Sequence, residues 1–246
     1  MDKINKDYLD SFADKYYLSN DVYDIDVENT MQDESIAQII NKMGNPKKIL
    51  EMGVGVGNML KNLYQKNIFI DIVEGSKVLI DNFESQYPET KFFHTLFEDF
   101  IPKYKYDCIF AFHVFEHVEN PDRLIKIVEK WLEPGGKLII IVPNKNSYHR
   151  MLGLTMNLHK NLDDLSERDL LVGHLRVYGM QELIDLINKN SSLEVVDEFG
   201  NFFKPLPNKY LIDLPKEVLQ GLNRMTDVVD YNHLCNIGIV CEKPNI

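Results

Sequence analysis

Two histidines and a glutamate that could bind a metal ion stand together in the stretch AFHVFEHVENP. His113, Glu116 and His117 spell H-x-x-E-H, the pattern of one class of zinc peptidases. In a zinc site of that type both histidines lie on one helix, four residues apart, so that they face the same ion. Here His113 ends an apolar, strand-like run that begins near Tyr106, and signals for a helix begin only at Asn120. The placement therefore argues against a zinc peptidase, and we expect no metal site at these two histidines.

A loop of alternating glycines, ILEMGVGVGNM, could bring the backbone close to a ligand. Gly53, Gly55 and Gly57 follow Glu51 with the spacing E-x-G-x-G-x-G, which is neither the G-x-G-x-x-G of dinucleotide sites nor a P-loop. Glycine permits close approach, and the start of the following helix offers free N–H donors. Glu74 ends the next apolar run, where a carboxylate can accept both hydroxyls of a ribose. The less specific interpretations are a tight strand-to-helix turn and a surface acid at the end of a strand.

Polar side chains that could contact a substrate are concentrated in VPNKNSYHR and GHLRVY, after the alternating region. A histidine can act as a general base near neutral pH, and an arginine fork suits a carboxylate or phosphate. His149 and His174 are candidate bases, with His174 favoured because Arg176 stands near it, and His117 is a third candidate. The candidate substrate contacts are Asn144, Arg176 and Tyr178. The competing interpretation is that His174 and Arg176 brace this segment against the sheet, and that His117 is hydrogen-bonded to the backbone.

Apolar runs alternate with amphipathic stretches of helical length from residue 48 onward. The pattern predicts strands at 48–52, 68–74, 92–95, 106–112 and 137–142, helices at 58–66, 76–86 and 120–132, and then a helix at 180–190 and closing strands at 193–199 and 236–241. Ser76 and Asn120 are candidate N-caps, and the Pro-Gly-Gly stretch 134–136 should separate the third helix from the fifth strand. This alternation predicts an α/β fold, a doubly wound Rossmann-like sheet with ligands at the carboxyl ends of its strands.

The composition favours a folded, acidic protein. The chain has 246 residues, a formal net charge of −11 and a sequence pI of about 5.1. Nucleic-acid binders usually carry a basic surface, so we expect no nucleic-acid partner. Cys108, Cys235 and Cys241 form no C-x-x-C pair, and the start MDKINKDYLD has no apolar signal-peptide core. With no apolar run approaching about 18 residues, we expect no membrane partner and a cytoplasmic location.

Several motifs, taken in order, make residues 45–143 resemble the class I S-adenosylmethionine-dependent methyltransferases. They are ILEMGVGVGNML, the acid of IVEGS, TLFEDF, FAFHVFEHVENP and LEPGGKLIIIVPN. The resemblance implies a seven-stranded sheet with an antiparallel last strand, S-adenosylmethionine as the cofactor and S-adenosylhomocysteine as the product. VPNKNSYHR and GHLRVY are similar to segments of a bacterial subgroup that modifies small molecules or surface polysaccharides.

The resemblance also implies roles for individual residues. Glu51 and the three glycines would hold the methionine part of the cofactor, and Glu74 the ribose hydroxyls. Leu96 and Phe97 would flank the adenine ring, with an acid of the following Glu-Asp pair near its amino group. His113 would lie beside the sulfonium. The expected cofactor site comprises Tyr16, Glu51, Gly53, Gly55, Gly57, Asn58, Glu74, Gly75, Leu96, Phe97, Glu98 and His113.

We expect a single domain, residues 1–246, built from parts with different roles. The expected parts are a helical lid at 1–45, a cofactor-binding core at 46–143, a substrate cap at 144–178 and 205–232, and a closing helix and strands at 179–204 and 233–246. Tyr16, in the aromatic stretch SFADKYY, would belong to the lid, unless this stretch is only a surface helix packed on the core.

The leading hypothesis is methyl transfer to a hydroxyl of a small-molecule or carbohydrate-linked acceptor. A histidine would act as general base, no metal would be needed, and an arginine would bind an anionic acceptor. The alternatives are N-methylation of a small-molecule amine, a nicotinamide oxidoreductase on a related fold, and a non-catalytic protein that binds the cofactor or a partner. The glycine spacing argues against the oxidoreductase. Both a monomer and a homodimer are open.

Overall fold

The computed structural model describes residues 5–19 and 25–245, which fold around one mixed β-sheet. The strands are β1 Ile49–Met52, β2 Asp71–Glu74, β3 Lys91–His94, β4 Tyr106–Phe112, β5 Leu132–Pro143, β6 Glu194–Asn201 and β7 Asn236–Glu242. The α-helices are α1 Lys6–Phe12, α2 Ile25–Met43, α3 Asn58–Gln65, α4 Lys77–Phe83, α5 Pro121–Trp131, α6 Tyr148–Thr155, α7 Glu167–Leu171, α8 Met180–Asn190 and α9 Lys216–Arg224. A π-helical turn, Ala13–Tyr17, continues α1. Residues 1–4 and 20–24 of the expected lid, and residue 246, lie outside the described residues.

The sheet has the strand order β3-β2-β1-β4-β5-β7-β6. Strands β1 to β5 pair in parallel, and β7 runs antiparallel to both of its neighbours, β5 and β6. The chain crosses from the edge strand β3 to β4 in the middle, so the strand order reverses between β1 and β4. Open α/β sheets bind ligands at such a point, outside the carboxyl ends of the strands. The prediction of a doubly wound Rossmann-like sheet with an antiparallel last strand is confirmed.

Many elements begin where the sequence predicts them because their first residues are strong caps. The Ser76 hydroxyl accepts a hydrogen bond from Leu79 N at 3.3 Å at the start of α4. The Asn120 side chain accepts one from Arg123 N at 2.9 Å, with Pro121 as the first residue of α5. Strand β4 and helix α8 have the predicted bounds. Local signals therefore determine the start of these two capped helices.

The start of β5 differs from the prediction. The Pro-Gly-Gly stretch 134–136 does not separate α5 from β5, because the strand follows the helix directly and contains all three residues. Gly135 N donates to Lys243 O at 2.8 Å, and Lys243 N donates to Gly136 O at 2.9 Å. The backbone of this stretch is thus hydrogen-bonded to the residue that follows β7. A long-range pairing of this kind has no local sequence signal.

The middle of the sheet is covered on both faces by helices. Side chains of β4 alternate between the two sides: Ile109 packs in the cluster that includes α5 and α8, and Cys108 and Phe110 pack in the cluster that includes α2 and α3. All four residues of β1 are buried. A rigid, buried sheet fixes where its strands end, and so fixes the loops that leave those ends. Within the described ranges, no helix has both the length and the apolar character needed to cross a membrane.

The expected substrate cap contains three short α-helices. Helices α6 and α7 lie between β5 and α8 in the chain, and α9 lies between β6 and β7. Val27 of α2 packs with Phe202, Leu211 and Leu219 in a small apolar cluster of its own. Part of the cap therefore packs on a helix of the expected lid. The division of the chain into lid, core and cap stays a prediction.

Candidate active site

A cleft of about 1210 Å³ opens at the carboxyl ends of β1, β2 and β4. The glycine loop, the acid end of β2, the turn after β4, the N-terminal helix and the cap segments all line it. Pockets for one drug-sized ligand usually measure about 300–1,000 Å³. This cleft therefore has room for two molecules side by side.

The three glycines of the loop all have a left-handed backbone. Their φ angles are 78° at Gly53, 51° at Gly55 and 76° at Gly57, a region that other residues rarely adopt. At Gly57 space is limiting as well, since a Cβ would lie 2.6 Å from the ring of Phe83. Gly57 directly precedes α3, so the free N–H groups of the helix start follow the loop. The loop can therefore approach a ligand closely with its backbone.

Two buried carboxylates, Glu51 and Glu74, line the cleft from the ends of β1 and β2. Oε2 of Glu51 is buried and has no hydrogen-bond partner among the described residues. Burial, followed by the charge of Glu74, raises the pKa of Glu51 well above its usual range. Glu74 accepts hydrogen bonds from Val54 N at 3.0 Å and from Ser76 N at 2.7 Å, but burial still raises its pKa. A pair of buried acids of this kind favours a ligand with positive charge and hydrogen-bond donors.

The other predicted cofactor residues of the core come together around these acids. Asn58, Gly75, Leu96, Phe97, Glu98 and His113 all line the cleft. A Cβ on Gly75 would lie 2.3 Å from the Leu9 side chain and 3.4 Å from that of Leu96, so the chain is closely packed there. The Asn58 side chain donates to Gln32 Oε1 at 3.0 Å, which ties the start of α3 to α2.

The N-terminal segment lies against the cleft and joins its two halves. Asp10 accepts a hydrogen bond from the Ser76 hydroxyl at 2.7 Å, at the start of α4. Tyr16 accepts a hydrogen bond from Arg168 of α7, whose guanidinium lies 5.0 Å from the centre of the tyrosine ring. Tyr17 packs beside the glycine loop. This segment therefore contacts the expected cofactor site on one side and the cap on the other.

The chain turns sharply where β4 ends. His113 has a left-handed φ of 53°, and its Nδ1 lies 2.9 Å from Oε1 of Glu116. Glu116 has no exposed surface, and its Oε2 has no hydrogen-bond partner in the described part of the chain. Burial acts to raise the pKa of Glu116, but the hydrogen bond from His113 and the nearby His117 and His174 hold it below its usual range. The predicted strand-to-loop placement of His113 and His117 is confirmed.

His174 is held by a buried carboxylate. Its Nδ1 lies 2.8 Å from Oδ1 of Asp169, while Oδ2 of Asp169 accepts from Arg150 at 2.9 Å and from the Ser166 hydroxyl at 2.6 Å. Burial acts to raise the pKa of Asp169, but the bonds from His174 and Ser166 and the charge of Arg150 hold it well below its usual range. The ionised carboxylate can only accept, so Nδ1 of His174 carries a proton. In the neutral ring, Nε2 then carries the lone pair.

His117 lies beside His174, with 4.9 Å between the ring centroids. Its Nδ1 lies 3.2 Å from the carbonyl oxygen of Gly173, and since a carbonyl only accepts, this nitrogen is the donor. Burial lowers the pKa of His117 to about 4. The ring is therefore neutral near pH 7, with the lone pair on Nε2. Two histidines that are far apart in the sequence thus meet in one wall of the cleft.

The third candidate base, His149, lines the cleft from α6. Its Nδ1 is buried and has no hydrogen-bond partner within the described ranges. Burial, followed by the charges of Lys204 and Arg150, lowers the pKa of His149 well below its usual range. This histidine is therefore neutral and a weak base.

The predicted substrate contacts Arg176, Tyr178 and Asn144 serve the fold instead. Arg176 donates to the carbonyl of Phe115 at 3.0 Å, and the Tyr178 hydroxyl donates to the same oxygen at 3.1 Å. Neither residue is among the described residues that line the cleft. Asn144 does line it, but its amide bonds three backbone groups. The geometry thus favours the bracing interpretation for Arg176 over an anion clamp.

Two residues of the site were missed by the sequence analysis, Asp169 and Glu116. Asp169 is the fourth residue of SERD, the capping box that starts α7 with Ser166. That signal predicts the start of a helix, but it does not predict a partner for His174. Glu116 was considered only as part of a zinc-peptidase string, and the fold brings it instead towards His117 and His174.

Comparisons with known proteins agree on one family. A family model described as a methyltransferase domain matches residues 25–198. A malonyl-[acyl-carrier protein] O-methyltransferase of Halalkalibacterium halodurans is 24% identical over 228 residues, covering 80% of this chain and 82% of that protein.

Two solved structures share the fold. One is a possible histamine N-methyltransferase from Thermotoga maritima, with a TM-score of 0.66, 16% identity and coverage of 96% of this chain and 99% of that chain. The other is the N-methyltransferase NodS from Bradyrhizobium japonicum with S-adenosylhomocysteine, with a TM-score of 0.57, 12% identity and coverage of 97% and 98%.

Replacement of Gly57 by alanine should destabilise the protein. The left-handed backbone costs an L-residue about 1–2 kcal/mol, and displacement of the Phe83 ring adds to this. Denaturant unfolding of Gly57→Ala should therefore give a free energy of unfolding at least about 1 kcal/mol below that of the parent.

Gly221→Ala is the matched control, because Gly221 lies inside α9 with no atom within 4 Å of the added Cβ. Alanine is favoured over glycine in a helix by roughly 0.5–1 kcal/mol, so this variant should be more stable than the parent. Equal effects of the two substitutions would contradict the described loop conformation.

Proposed function

This chain belongs to the class I S-adenosylmethionine-dependent methyltransferases, and from that premise we propose that it methylates an oxygen atom of a small-molecule acceptor that His174 activates. The protein is an enzyme of the methyltransferase class, and its cofactor is S-adenosylmethionine. The acceptor atom and the role of each site residue are the proposed parts.

The residues of the cleft fit this cofactor. Oε2 of Glu51 is a buried acceptor without a partner in the described part of the chain, so it suits the ammonium group of the methionine part. Glu74 is held in place by backbone N–H groups of Val54 and Ser76, and its carboxylate suits the two ribose hydroxyls. Side chains at Gly53 or Gly55 would fill part of the cleft that the backbone lines.

The contact between Asp169 and His174 is the main observation that supports methyl transfer to oxygen. A carboxylate on Nδ1 fixes the tautomer of the ring and leaves the lone pair of Nε2 for the acceptor, as in hydrolytic triads. In the simplest form of the mechanism, Nε2 takes the proton of the acceptor hydroxyl. S-Adenosylmethionine, when bound, supplies a methyl group whose bond to sulfur breaks, with both electrons staying on sulfur, as the acceptor oxygen bonds to the carbon. The cleft aligns the two reactants.

The relatives support oxygen over nitrogen as the acceptor atom. The Halalkalibacterium relative named above is an O-methyltransferase that acts on a malonyl-carrier protein. The two N-methyltransferase structures have less than a fifth of their residues in common with this chain and therefore support the fold alone.

We further propose that the acceptor is not a nucleic acid, given the net charge of −11. If the acceptor is anionic, Lys204, which lines the cleft, would contact it in place of the expected Arg176.

The proposed function is tested by transfer of a labelled methyl group to a panel of acceptors. The panel contains a malonyl-acyl carrier protein, a catechol, a sugar hydroxyl and a primary amine, and mass spectrometry locates the added methyl group. We expect the label on oxygen. His174→Ala should lower kcat by about 10²–10⁴ and leave cofactor affinity unchanged, because activation of the acceptor is lost.

His233→Ala is the control, since His233 bonds the carbonyl of Asn146 and is not among the described cleft-lining residues. This control should keep the kcat of the parent. A methyl group found on nitrogen would overturn the proposed oxygen acceptor. Full turnover by His174→Ala would overturn the role of His174, and loss of cofactor binding in that variant would show a structural role instead.

Replacement of Glu74 by alanine should weaken binding of S-adenosylhomocysteine by about 1.5–3 kcal/mol, because a pair of charge-assisted hydrogen bonds to the ribose is lost. Isothermal titration calorimetry measures the difference. Glu194→Ala removes an exposed glutamate of β6 and should leave the affinity unchanged. An unchanged affinity in Glu74→Ala would remove the ribose assignment.

Binding of S-adenosylmethionine should release a proton from Glu51. The pKa of this acid is raised in the free protein by burial and by the neighbouring Glu74, so its protonated form is favoured there. A cationic ligand favours the ionised form and lowers the pKa again, so affinity should rise with pH and level off above the free-protein pKa.

Calorimetry in buffers with different ionisation enthalpies counts the released protons. Glu51→Gln should release fewer protons than the parent and show a flatter dependence of affinity on pH. Part of the pH dependence of the affinity should remain in this variant, because the pKa of Glu74 is also raised. The same proton count in parent and variant would contradict the contact between Glu51 and the cofactor.

A further inference from the structure

Three side chains with metal-binding atoms converge in the wall of the cleft. One carboxylate oxygen of Glu116 and one ring nitrogen each of His117 and His174 all lie within 4.8 Å of one another. Two of these residues come from the turn after β4, and the third comes from the segment after α7. The fold, not the local sequence, therefore assembles this group.

Both histidines are held in the way that metal ligands usually are. A metal-binding histidine donates its other ring nitrogen to a carbonyl or a carboxylate, which fixes the ring and its tautomer. Here Nδ1 of His117 donates to the carbonyl of Gly173 at 3.2 Å, and Nδ1 of His174 donates to Asp169 at 2.8 Å. Each ring thus presents the lone pair of Nε2.

Glu116 supplies an independent observation. It has no exposed surface, and one of its oxygens is engaged by His113 at 2.9 Å. The other oxygen, Oε2, has no hydrogen-bond partner among the described residues, although two imidazole rings are close to it. If the cluster served only to pair the carboxylate with a protonated imidazole, a hydrogen bond to that oxygen would be the expected result. A buried carboxylate oxygen without a donor is an atom that a bound cation would satisfy.

We propose that Glu116, His117 and His174 bind one divalent first-row transition cation in the wall of the cleft. Two imidazoles and one carboxylate suit such ions and leave coordination positions open on the side of the cleft. Bonds to nitrogen measure about 2.1 Å, which places tetrahedral ligand atoms roughly 3.4 Å apart, so ligand atoms that now lie up to 4.8 Å apart would have to approach by at most about 1.4 Å.

The cation would give His174 a more specific role in the reaction. This inference rests on the proposed transfer to oxygen, and it changes only how the acceptor is activated. A divalent cation lowers the pKa of a hydroxyl that it contacts. With the cation bound, the acceptor would lose its proton to solvent, and His174 would act as a ligand of the ion, with Asp169 as its positioning residue. The sequence analysis expected no metal, and it did not bring His174 together with Glu116 and His117.

Titration of the whole protein with Co²⁺ tests the proposal without any acceptor. The protein is first treated with EDTA and then dialysed, and Co²⁺ binding is followed by calorimetry and by visible absorption. We expect one Co²⁺ per chain, with the absorption bands of a nitrogen- and oxygen-bound ion. His117→Ala, His174→Ala and Glu116→Gln should lose this site, while His233→Ala keeps it. Asp169→Asn should bind about 10–100-fold more weakly, since it removes the carboxylate that orients His174.

Binding of S-adenosylhomocysteine is measured on each variant to show that it is folded. An EDTA-treated parent that binds no Co²⁺ at stoichiometric concentration would overturn the proposal. So would Co²⁺ binding by folded variants with the affinity of the parent. Methyl transfer to oxygen at the full rate in metal-free protein would likewise overturn the proposed role of the cation, but it would leave the proposed function intact. Methyl transfer to nitrogen would overturn the proposed function, whatever the titration gives.

Discussion

The burial of the Glu116 carboxylate is the constraint on which the active-site wall depends. An ionised carboxylate without solvent contact needs positive or donating groups on all sides. His113 supplies one hydrogen bond, and its left-handed backbone at the end of β4 is what allows the chain to turn back towards it. The backbone carbonyl of Glu116 accepts from Leu175 N at 2.8 Å, which draws the cap segment onto the same turn. This wall of the cleft and the segment after α7 therefore meet at the turn that follows β4.

The braces around this turn explain why polar residues that look like substrate contacts are not in the cleft. Arg176 and Tyr178 both donate to the carbonyl of Phe115, whose side chain is buried in the main core. An arginine used in this way fixes backbone oxygens that would otherwise be buried without donors. The turn is thus rigid enough to hold His117 against His174, and rigid positioning of this kind is what an active site requires. Glu51 and Glu74, which also line the cleft, are held by short strands of the same sheet and by the glycine loop.

Features coded by neighbouring residues could be predicted from the sequence, and features that arise from long-range contacts could not. The glycine loop, the caps Ser76 and Asn120 and the alternation of strands and helices are local, and they predicted the doubly wound sheet and a ligand at its strand ends. The cofactor and the antiparallel last strand were implied by the family resemblance. The early start of β5 was missed because it depends on Lys243, which pairs across the chain. Asp169 and His174 are close in the sequence, but their contact depends on how α7 ends. The meeting of His117 with His174 depends on the whole topology, which no spacing rule for a single helix describes.

A crystal structure grown with S-adenosylhomocysteine and Mn²⁺, with anomalous diffraction data, tests the central claim most directly. We expect one anomalous peak at about 2.0–2.2 Å from Nε2 of His117, Nε2 of His174 and an oxygen of Glu116. S-Adenosylhomocysteine should lie along Gly53–Gly57 in the same cleft, with its ribose on Glu74. A map with S-adenosylhomocysteine in that place and no anomalous peak, in which Oε2 of Glu116 accepts a hydrogen bond from the imidazole of His117 or His174, would rule out the cation site.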